Sequence, residues 1–111
     1  MDNTPQPRYY VTFAETVFQS WAEVQQQAPQ ALAEHIARSK QLHDAGTLLM
    51  AGAFLDRSDE PVTTMAVLPS RAAAEEYMRG DPFVLNGQVK RWYIREWGNM
   101  FYVPADRLAS D

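Results

Sequence analysis

The segment 29–44 carries apolar residues at steps of three and four, which is the spacing of one face of an amphipathic helix. The residues on this face are Leu32, Ile36, Ser39 and Leu42. His35 falls on the same side, and Gly46 follows where a helix C-terminal cap favours a glycine in the left-handed conformation. The apolar segment 47–54 is too short for a second surface helix, so we expect a covered strand. One imidazole therefore points inward, near the start of a strand.

Shorter patterns predict the remaining elements. Ser20 and Glu23 form a capping-box pair at the start of a helical turn, and Ser70 is an N-cap residue ahead of a second helix. The charged segment 55–61 indicates a solvated loop that joins two strands into a hairpin. The predicted order is strand 8–16, a helical turn from Trp21, helix 29–44, strand 47–54, strand 62–68, a helix over 72–78 that ends at Gly80, a turn or bulged entry over 83–87, and strand 88–97.

The main elements follow the order β-α-β-β-α-β, which predicts an α+β, ferredoxin-like fold: a four-stranded antiparallel sheet with two helices on one face. Strands 8–16 and 88–97 have apolar residues on both faces, so the second face of the sheet needs a cover. We expect a partner subunit to cover it, in a homodimer or a higher oligomer. The predicted regions are a flexible arm at 1–7, a single domain at 8–103 and a tail at 104–111.

Composition narrows the function classes. The chain has 111 residues, of which 46% are hydrophobic, and this suits one domain with a real core. It has no cysteine, which excludes disulfides, thiolate catalysis and cysteine-ligated metals. We find no leader and no apolar run near the roughly 18 residues that cross a bilayer, so the expectation is a cytoplasmic protein without a membrane partner. The net charge of −4 argues against a nucleic-acid partner.

Basic and aromatic residues are interspersed in the segment 90–95, an arrangement that could suit single-stranded RNA on a ferredoxin-like sheet. The glycine-and-aromatic pattern of RNA-recognition sheets is missing from this segment. We therefore assign the segment to a dimer or pocket surface and expect no nucleic acid as a partner.

His35 is the first candidate for chemistry, because an imidazole with an ordinary pKa near 6.5 suits proton transfer at neutral pH. It could equally be a core histidine that is hydrogen-bonded to the backbone or to Ser39. A catalytic imidazole needs a carboxylate partner, and Asp81 follows the second helix at a turn that can reach the first. Gly-Asp-Pro is also ordinary turn chemistry, so both interpretations of Asp81 stay open. His43 suits a helix-end or surface position, and we expect no metal site and no cofactor.

Two blocks of sequence carry a family resemblance. They are His35-Ile-Ala-Arg38 with Leu42, Gly46 and Leu48-Leu49-Met50-Ala51-Gly52, and Asp81-Pro82-Phe83 with Gly87. Together with the opening segment 9–14, they resemble the YciI-like family of the dimeric α/β-barrel superfamily. The resemblance implies a ferredoxin-like dimer whose sheets pack face to face, with a pocket between sheet and helices in each subunit. It also implies His35 with Asp81 as the active-site pair. Relatives in that superfamily isomerise, eliminate from or oxygenate small cyclic compounds, often without metal or organic cofactor.

The chain departs from the family pattern at two points. Ala53 stands where the family usually has a proline, and Val62-Thr63 stands where it has Gly-Ser. The mouth of the pocket should therefore differ, and the substrate of no family member carries over to this chain.

The candidate residues and the resemblance together imply a cofactor-independent enzyme, a lyase or isomerase, that acts on a small cyclic or aromatic organic molecule. His35 would be the general base and then the acid, and Asp81 would orient the imidazole. The predicted polar contacts to substrate are Arg38, Ser39 and Thr63, and the predicted apolar walls, taken from strand parity, are Phe13, Met50, Phe54, Phe83 and Trp92. The alternative is a non-catalytic dimer that binds a small ligand or accompanies a larger enzyme. A sealed His35 bonded only to backbone favours that alternative, and contact with Asp81 in a solvent-reachable pocket favours the enzyme.

Overall fold

The structure is a computed structural model that describes residues 8–101. The predicted arm at 1–7 and tail at 104–111 lie outside the described residues. The elements in chain order are β1 (Arg8–Thr16), α1 (Trp21–Gln27), α2 (Pro29–Asp44), β2 (Met50–Ala53), β3 (Thr63–Leu68), α3 (Arg71–Arg79), α4 (Pro82–Leu85) and β4 (Val89–Gly98). The strands form one antiparallel sheet in the order β2-β3-β1-β4, which is the predicted α+β, ferredoxin-like fold.

Local sequence signals set the boundaries of several elements. Strand β1 and helix α2 have the bounds that the sequence predicted. The Ser20 hydroxyl accepts a hydrogen bond from the Glu23 N–H at 3.0 Å, and the Glu23 carboxylate accepts one from the Gln19 N–H at 3.1 Å, so a capping box opens α1. Ser70 caps α3 in the same way. Gly46 follows α2 with a φ of 81°, which is the left-handed region that glycine tolerates best.

The prediction for the second strand was wrong in its extent and its burial. β2 has four residues rather than the predicted segment 47–54, because the N–H groups of Thr47 and Leu48 donate to the Leu42 carbonyl and complete the end of α2. The strand lies at an edge of the sheet, and Met50 to Gly52 are exposed rather than covered. The segment predicted as a turn or bulged entry begins with the short helix α4, for which Asp81 is the N-cap.

One face of the sheet packs against the helices. Alternate residues of β1 point to this side, and Ala14 pairs with Thr64 of β3 and Trp92 of β4. One core cluster joins the sheet to α3 and consists of Ala14, Leu48, Ala66, Leu68, Ala74, Tyr77 and Met78. A second cluster joins α1, α2 and α4 and consists of Phe18, Val24, Ala28, Ala31 and Phe83.

The opposite face of the sheet, here called the open face, carries mostly apolar side chains, together with Arg91 and Arg95 of β4. Its apolar residues are Tyr9, Val11, Phe13, Met50, Met65, Val67, Tyr93 and Trp97. The rings of Phe13 and Tyr93 stack with centroids 5.2 Å apart, yet Tyr93 and Trp97 keep about half of their surface exposed, 49% and 48%. This supports the prediction that a second subunit covers the face, which stays a prediction. Within residues 8–101, no helix combines the length and hydrophobicity needed to cross a bilayer.

Candidate active site

A cavity of about 320 Å³ lies between the helix-bearing face of the sheet and helices α1 and α2. Its wall is mainly apolar, with side chains from both core clusters, and Trp21 and Ile36 at its rim are 46% and 55% exposed. The polar side chains in the wall are Thr12, Thr16, His35, Ser39, Thr64, Tyr77 and Asp81. Among the residues that the structure describes, no lysine or arginine lines this cavity. The cavity therefore suits a neutral, largely apolar molecule with a few oxygen or nitrogen atoms.

His35 and Asp81 meet in the wall of this cavity. The His35 Nδ1 lies 2.5 Å from the Asp81 Oδ1, and the two side chains are 27% and 6% exposed. A carboxylate only accepts hydrogen bonds, so the proton of this bond belongs to Nδ1, and in the neutral imidazole the lone pair is then on Nε2. The contact therefore favours the tautomer that a general base requires at Nε2.

The position of Asp81 is fixed by the backbone of α4. Its second carboxylate oxygen, Oδ2, accepts from the N–H groups of Phe83 and Val84 at 3.0 and 3.3 Å, as an N-cap does. The Phe83 ring packs beside the His35 ring, with centroids 5.3 Å apart. The same carboxylate therefore starts a helix and orients the imidazole, so the turn chemistry of Gly-Asp-Pro and the contact with His35 coexist.

Arg38 connects α2 to the end of α3. Its guanidinium donates to the carbonyl oxygens of Tyr77 and Glu76 at 2.9 and 3.0 Å and lies over the Tyr77 ring. These carbonyls belong to the last turn of α3, directly before Asp81. Arg38 was predicted to contact substrate, but it does not line the cavity, and two of its N–H groups bind the backbone of α3 instead.

A pair of hydroxyl groups lies in the cavity wall one helical turn beyond His35. The Ser39 hydroxyl and the Tyr77 hydroxyl are 3.1 Å apart, and both side chains line the cavity. Burial raises the pKa of the Tyr77 phenol, and the hydrogen bond with Ser39 only partly opposes this effect, so the phenol is neutral at physiological pH.

Sequence reasoning missed Tyr77, although one signal could have found it. The buried residues of α3 are Ala74, Tyr77 and Met78, at helical spacing. A tyrosine on the buried face of a helix needs a hydrogen-bond partner for its hydroxyl. Ser39 on the inward face of α2 was the available partner.

Of the other predicted contacts, Ser39 and Phe83 line the cavity, and the rest lie elsewhere. Phe13 and Met50 are on the open face, and Phe54 is 45% exposed beyond the end of β2. The Thr63 hydroxyl donates to the Pro61 carbonyl, while its neighbour Thr64 is the residue in the cavity wall. Trp92 faces the helices but packs against the α3 cluster, beneath Arg79.

The titratable groups of residues 8–101 include no group of three or more His, Asp or Glu side chains placed to hold a metal ion. His43 lies at the end of α2, where its Nδ1 is 2.9 Å from the Leu48 carbonyl oxygen.

Comparisons with known proteins agree with this architecture. The family model for the YCII-related domain matches residues 10–98. A search of curated proteins gave no significant match. At the low identities of the structural matches described next, likeness establishes the fold alone.

The chain is similar to the 5-chloro-2-hydroxyhydroquinone dehydrochlorinase TftG from Burkholderia phenoliruptrix AC1100, solved in complex with 2,5-dihydroxybenzoquinone. The TM-score is 0.59 at 13% identity, over 82% of this chain and 94% of that one. It is also similar to PA3566 from Pseudomonas aeruginosa, with a TM-score of 0.51 at 12% identity over 90% of this chain and 100% of that one. Protein SO0527 from Shewanella oneidensis gives 0.50 at 16% identity, over 85% and 92% of the two chains.

Proposed function

For this chain, which belongs to the YCII-related domain family, we propose the function of a small enzyme that moves a proton on a cyclic or aromatic molecule without a cofactor. The observation that carries the proposal is the contact between the His35 Nδ1 and the Asp81 carboxylate in the wall of a cavity open to solvent. A histidine that served only the core would need neither a carboxylate partner nor a place in a cavity wall.

In the proposed reaction, the His35 Nε2 takes a proton from an acidic carbon or hydroxyl of the substrate. The C–H or O–H bond breaks, its electron pair stays on the substrate as an enolate or phenolate, and an N–H bond forms. Asp81 stabilises the imidazolium. The electron pair then expels a leaving group, which is elimination, or the imidazolium returns its proton to another carbon, which is isomerisation. General acid–base help of this kind gives about 10²- to 10⁴-fold acceleration.

The cavity supports a substrate class as well as a proton transfer. Its volume of about 320 Å³ is near the lower end of ligand pockets, which suits a molecule of one or two rings. A wall without lysine or arginine disfavours carboxylates and phosphates, since a buried anion needs a charge partner. TftG is described as acting on a chlorinated, ring-hydroxylated compound, so hydroxylated rings with and without halogen form the first panel of test compounds.

Hydrogen–deuterium exchange tests the proposal without knowledge of the net reaction. The protein is incubated in D2O with hydroxylated rings and cyclic 1,3-diketones, and NMR measures how fast their carbon-bound protons exchange. We expect the wild-type protein to accelerate exchange in at least one compound, and His35→Gln to lose about 10²-fold or more of that acceleration. His43→Gln is the matched control, because it removes an imidazole of the same helix that lies away from the cavity.

Equal exchange with wild type and with folded His35→Gln would contradict the proposal. Saturable binding without exchange would instead favour the alternative, a dimer that holds a small ligand.

A further inference from the structure

The hydroxyl groups of Ser39 and Tyr77 form a pair with two O–H donors, of which the contact between them uses only one. Each hydroxyl carries one O–H, and the 3.1 Å contact between them consumes one. Whichever residue donates, the other O–H remains in the wall of the cavity. Tyr77 is only 5% exposed, so where Ser39 is the donor, the remaining O–H of Tyr77 is not spent on bulk solvent.

The pair is not needed to join the helices that carry it. Arg38 already fastens α2 to α3 through two carbonyl oxygens and packs over the Tyr77 ring. Phenylalanine would fill the space of the Tyr77 ring without a hydroxyl. Because Arg38 already joins the two helices, the hydroxyl pair is available to bind a ligand.

The pair and the base lie on the same face of α2. Ser39 follows His35 by four residues, which places their Cβ atoms roughly 6 Å apart on a helix. A ring that offers a proton to the His35 Nε2 can therefore offer an oxygen to the pair. With no cation in the wall, that oxygen belongs to a neutral carbonyl or phenol in the bound state.

We propose that the Tyr77–Ser39 hydroxyl pair is a second anchoring point of the site, which donates a hydrogen bond to a ring carbonyl or phenolic oxygen of the substrate. It deepens the proposed function and rests on it, because the pair acts on the molecule that His35 deprotonates. The site then selects oxygenated rings over rings that are equally large and apolar. When His35 removes a proton, negative charge grows on the anchored oxygen, and a fixed donor stabilises it. Because burial raises the pKa of Tyr77, its O–H is present at neutral pH.

The test compares two probes of nearly equal size, hydroquinone and p-cresol. Both carry one hydroxyl that can contact His35, and at the opposite ring position, which faces the pair, hydroquinone has a second hydroxyl where p-cresol has a methyl group. Isothermal titration calorimetry measures their dissociation constants with the full-length wild type, Tyr77→Phe, Ser39→Ala and the double variant. We expect wild type to bind hydroquinone about tenfold more tightly than p-cresol, because p-cresol leaves the O–H donor of the pair without a partner. The double variant should bind both probes within twofold of each other, with its affinity for p-cresol unchanged, and the single variants should fall between.

Arg38→Ala is the matched control, because it loosens the same pair of helices and leaves both hydroxyls in place. It should keep the preference for hydroquinone even where both affinities drop. Persistence of the preference in the double variant, or an equal loss for both probes, overturns the anchoring role while leaving the exchange activity of His35 untouched. Absence of saturable binding of either probe to wild type overturns the anchor and also the proposed substrate class.

Discussion

The Arg38 guanidinium occupies the space in which a side chain at Gly80 would start. Its Nη2 lies 2.7 Å from the position that a Cβ on residue 80 would take, and its carbon Cζ lies 3.1 Å away. Both nitrogens of the fork donate to the last turn of α3, so they cannot withdraw without leaving the two carbonyls. Gly80 therefore admits the arginine that fixes the chain just before Asp81.

Gly80→Ala should displace Arg38 and lower the free energy of unfolding by about 1–3 kcal/mol, since two charge-assisted hydrogen bonds are lost. In an Arg38→Ala background the same substitution should cost much less, because no guanidinium is left to displace. Urea unfolding of the two single variants and the double variant gives the coupling directly. Costs that simply add would mean that the two residues do not compete for this space.

Glu96 provides a prediction about pH. The Tyr10 hydroxyl donates to its carboxylate at 2.7 Å, and this hydrogen bond, with help from Arg8, lowers the pKa of Glu96. A carboxyl group whose pKa is lower in the folded than in the unfolded state stabilises the protein at pH values above its unfolded pKa. This stabilisation is lost as pH falls through the folded pKa. Tyr10→Phe should move the pKa of Glu96 upward and remove that contribution. NMR titration of the side-chain carboxyl carbon measures it, and an unmoved titration would assign the shift to Arg8 instead.

The open face predicts the oligomeric state. Its stacked Phe13 and Tyr93 and its half-exposed Trp97 form a surface that a second copy would cover. Light scattering at micromolar concentration should give about twice the chain mass of 12.6 kDa. Tyr93→Asp should shift the mass toward one chain, whereas Leu85→Asp, at an exposed site on α4, should not. A wild-type monomer would remove the face-to-face arrangement.

The elements that sequence predicted well are those with local signals. Pro29 and Gly46 delimit α2, and Ser20 and Ser70 place two helix starts, because caps depend on residues three or four positions apart. The predicted extent of the second strand was wrong because the N–H of Leu48 donates to a carbonyl at the end of α2 rather than to a neighbouring strand. Hydrophobicity alone does not reveal this hydrogen bond.

The contact between His35 and Asp81 could be predicted from the order of the elements. The wall residues could not, because they depended on which face of each strand meets the helices. His35 and Asp81 meet because Asp81 is the N-cap of α4, and α4 packs against α2, which carries His35. Phe13 was assigned to the wrong side, since parity divides a strand into two faces without saying which one meets the helices. Tyr77 was missed because its partner lies 38 residues away on another helix.

The two tasks of the Asp81 carboxylate can be separated by substitution. Asp81→Asn keeps an oxygen that can accept from the Phe83 N–H, and asparagine caps helices about as well as aspartate, so stability should change by less than about 1 kcal/mol. Asp81→Ala removes the cap and should cost about 0.5–2 kcal/mol. Thermal and urea unfolding of both variants measure the difference. An asparagine variant as unstable as the alanine variant would mean that the contact with His35, rather than the cap, dominates stability.

The asparagine variant should nevertheless be a poor catalyst. With its oxygen engaged by the backbone, its amide NH2 faces the His35 Nδ1, which must then accept, so the proton moves to Nε2 and the base is lost. We expect the exchange rate to fall about 10²- to 10⁴-fold in Asp81→Asn and in His35→Ala. The double variant should be about as impaired as His35→Ala alone, because residues that act as a unit have non-additive effects.

Each variant is first shown to be folded and to keep the wild-type mass. Strictly multiplicative losses would give the two residues separate roles, and near-wild-type exchange in folded His35→Ala would leave only the ligand-binding alternative.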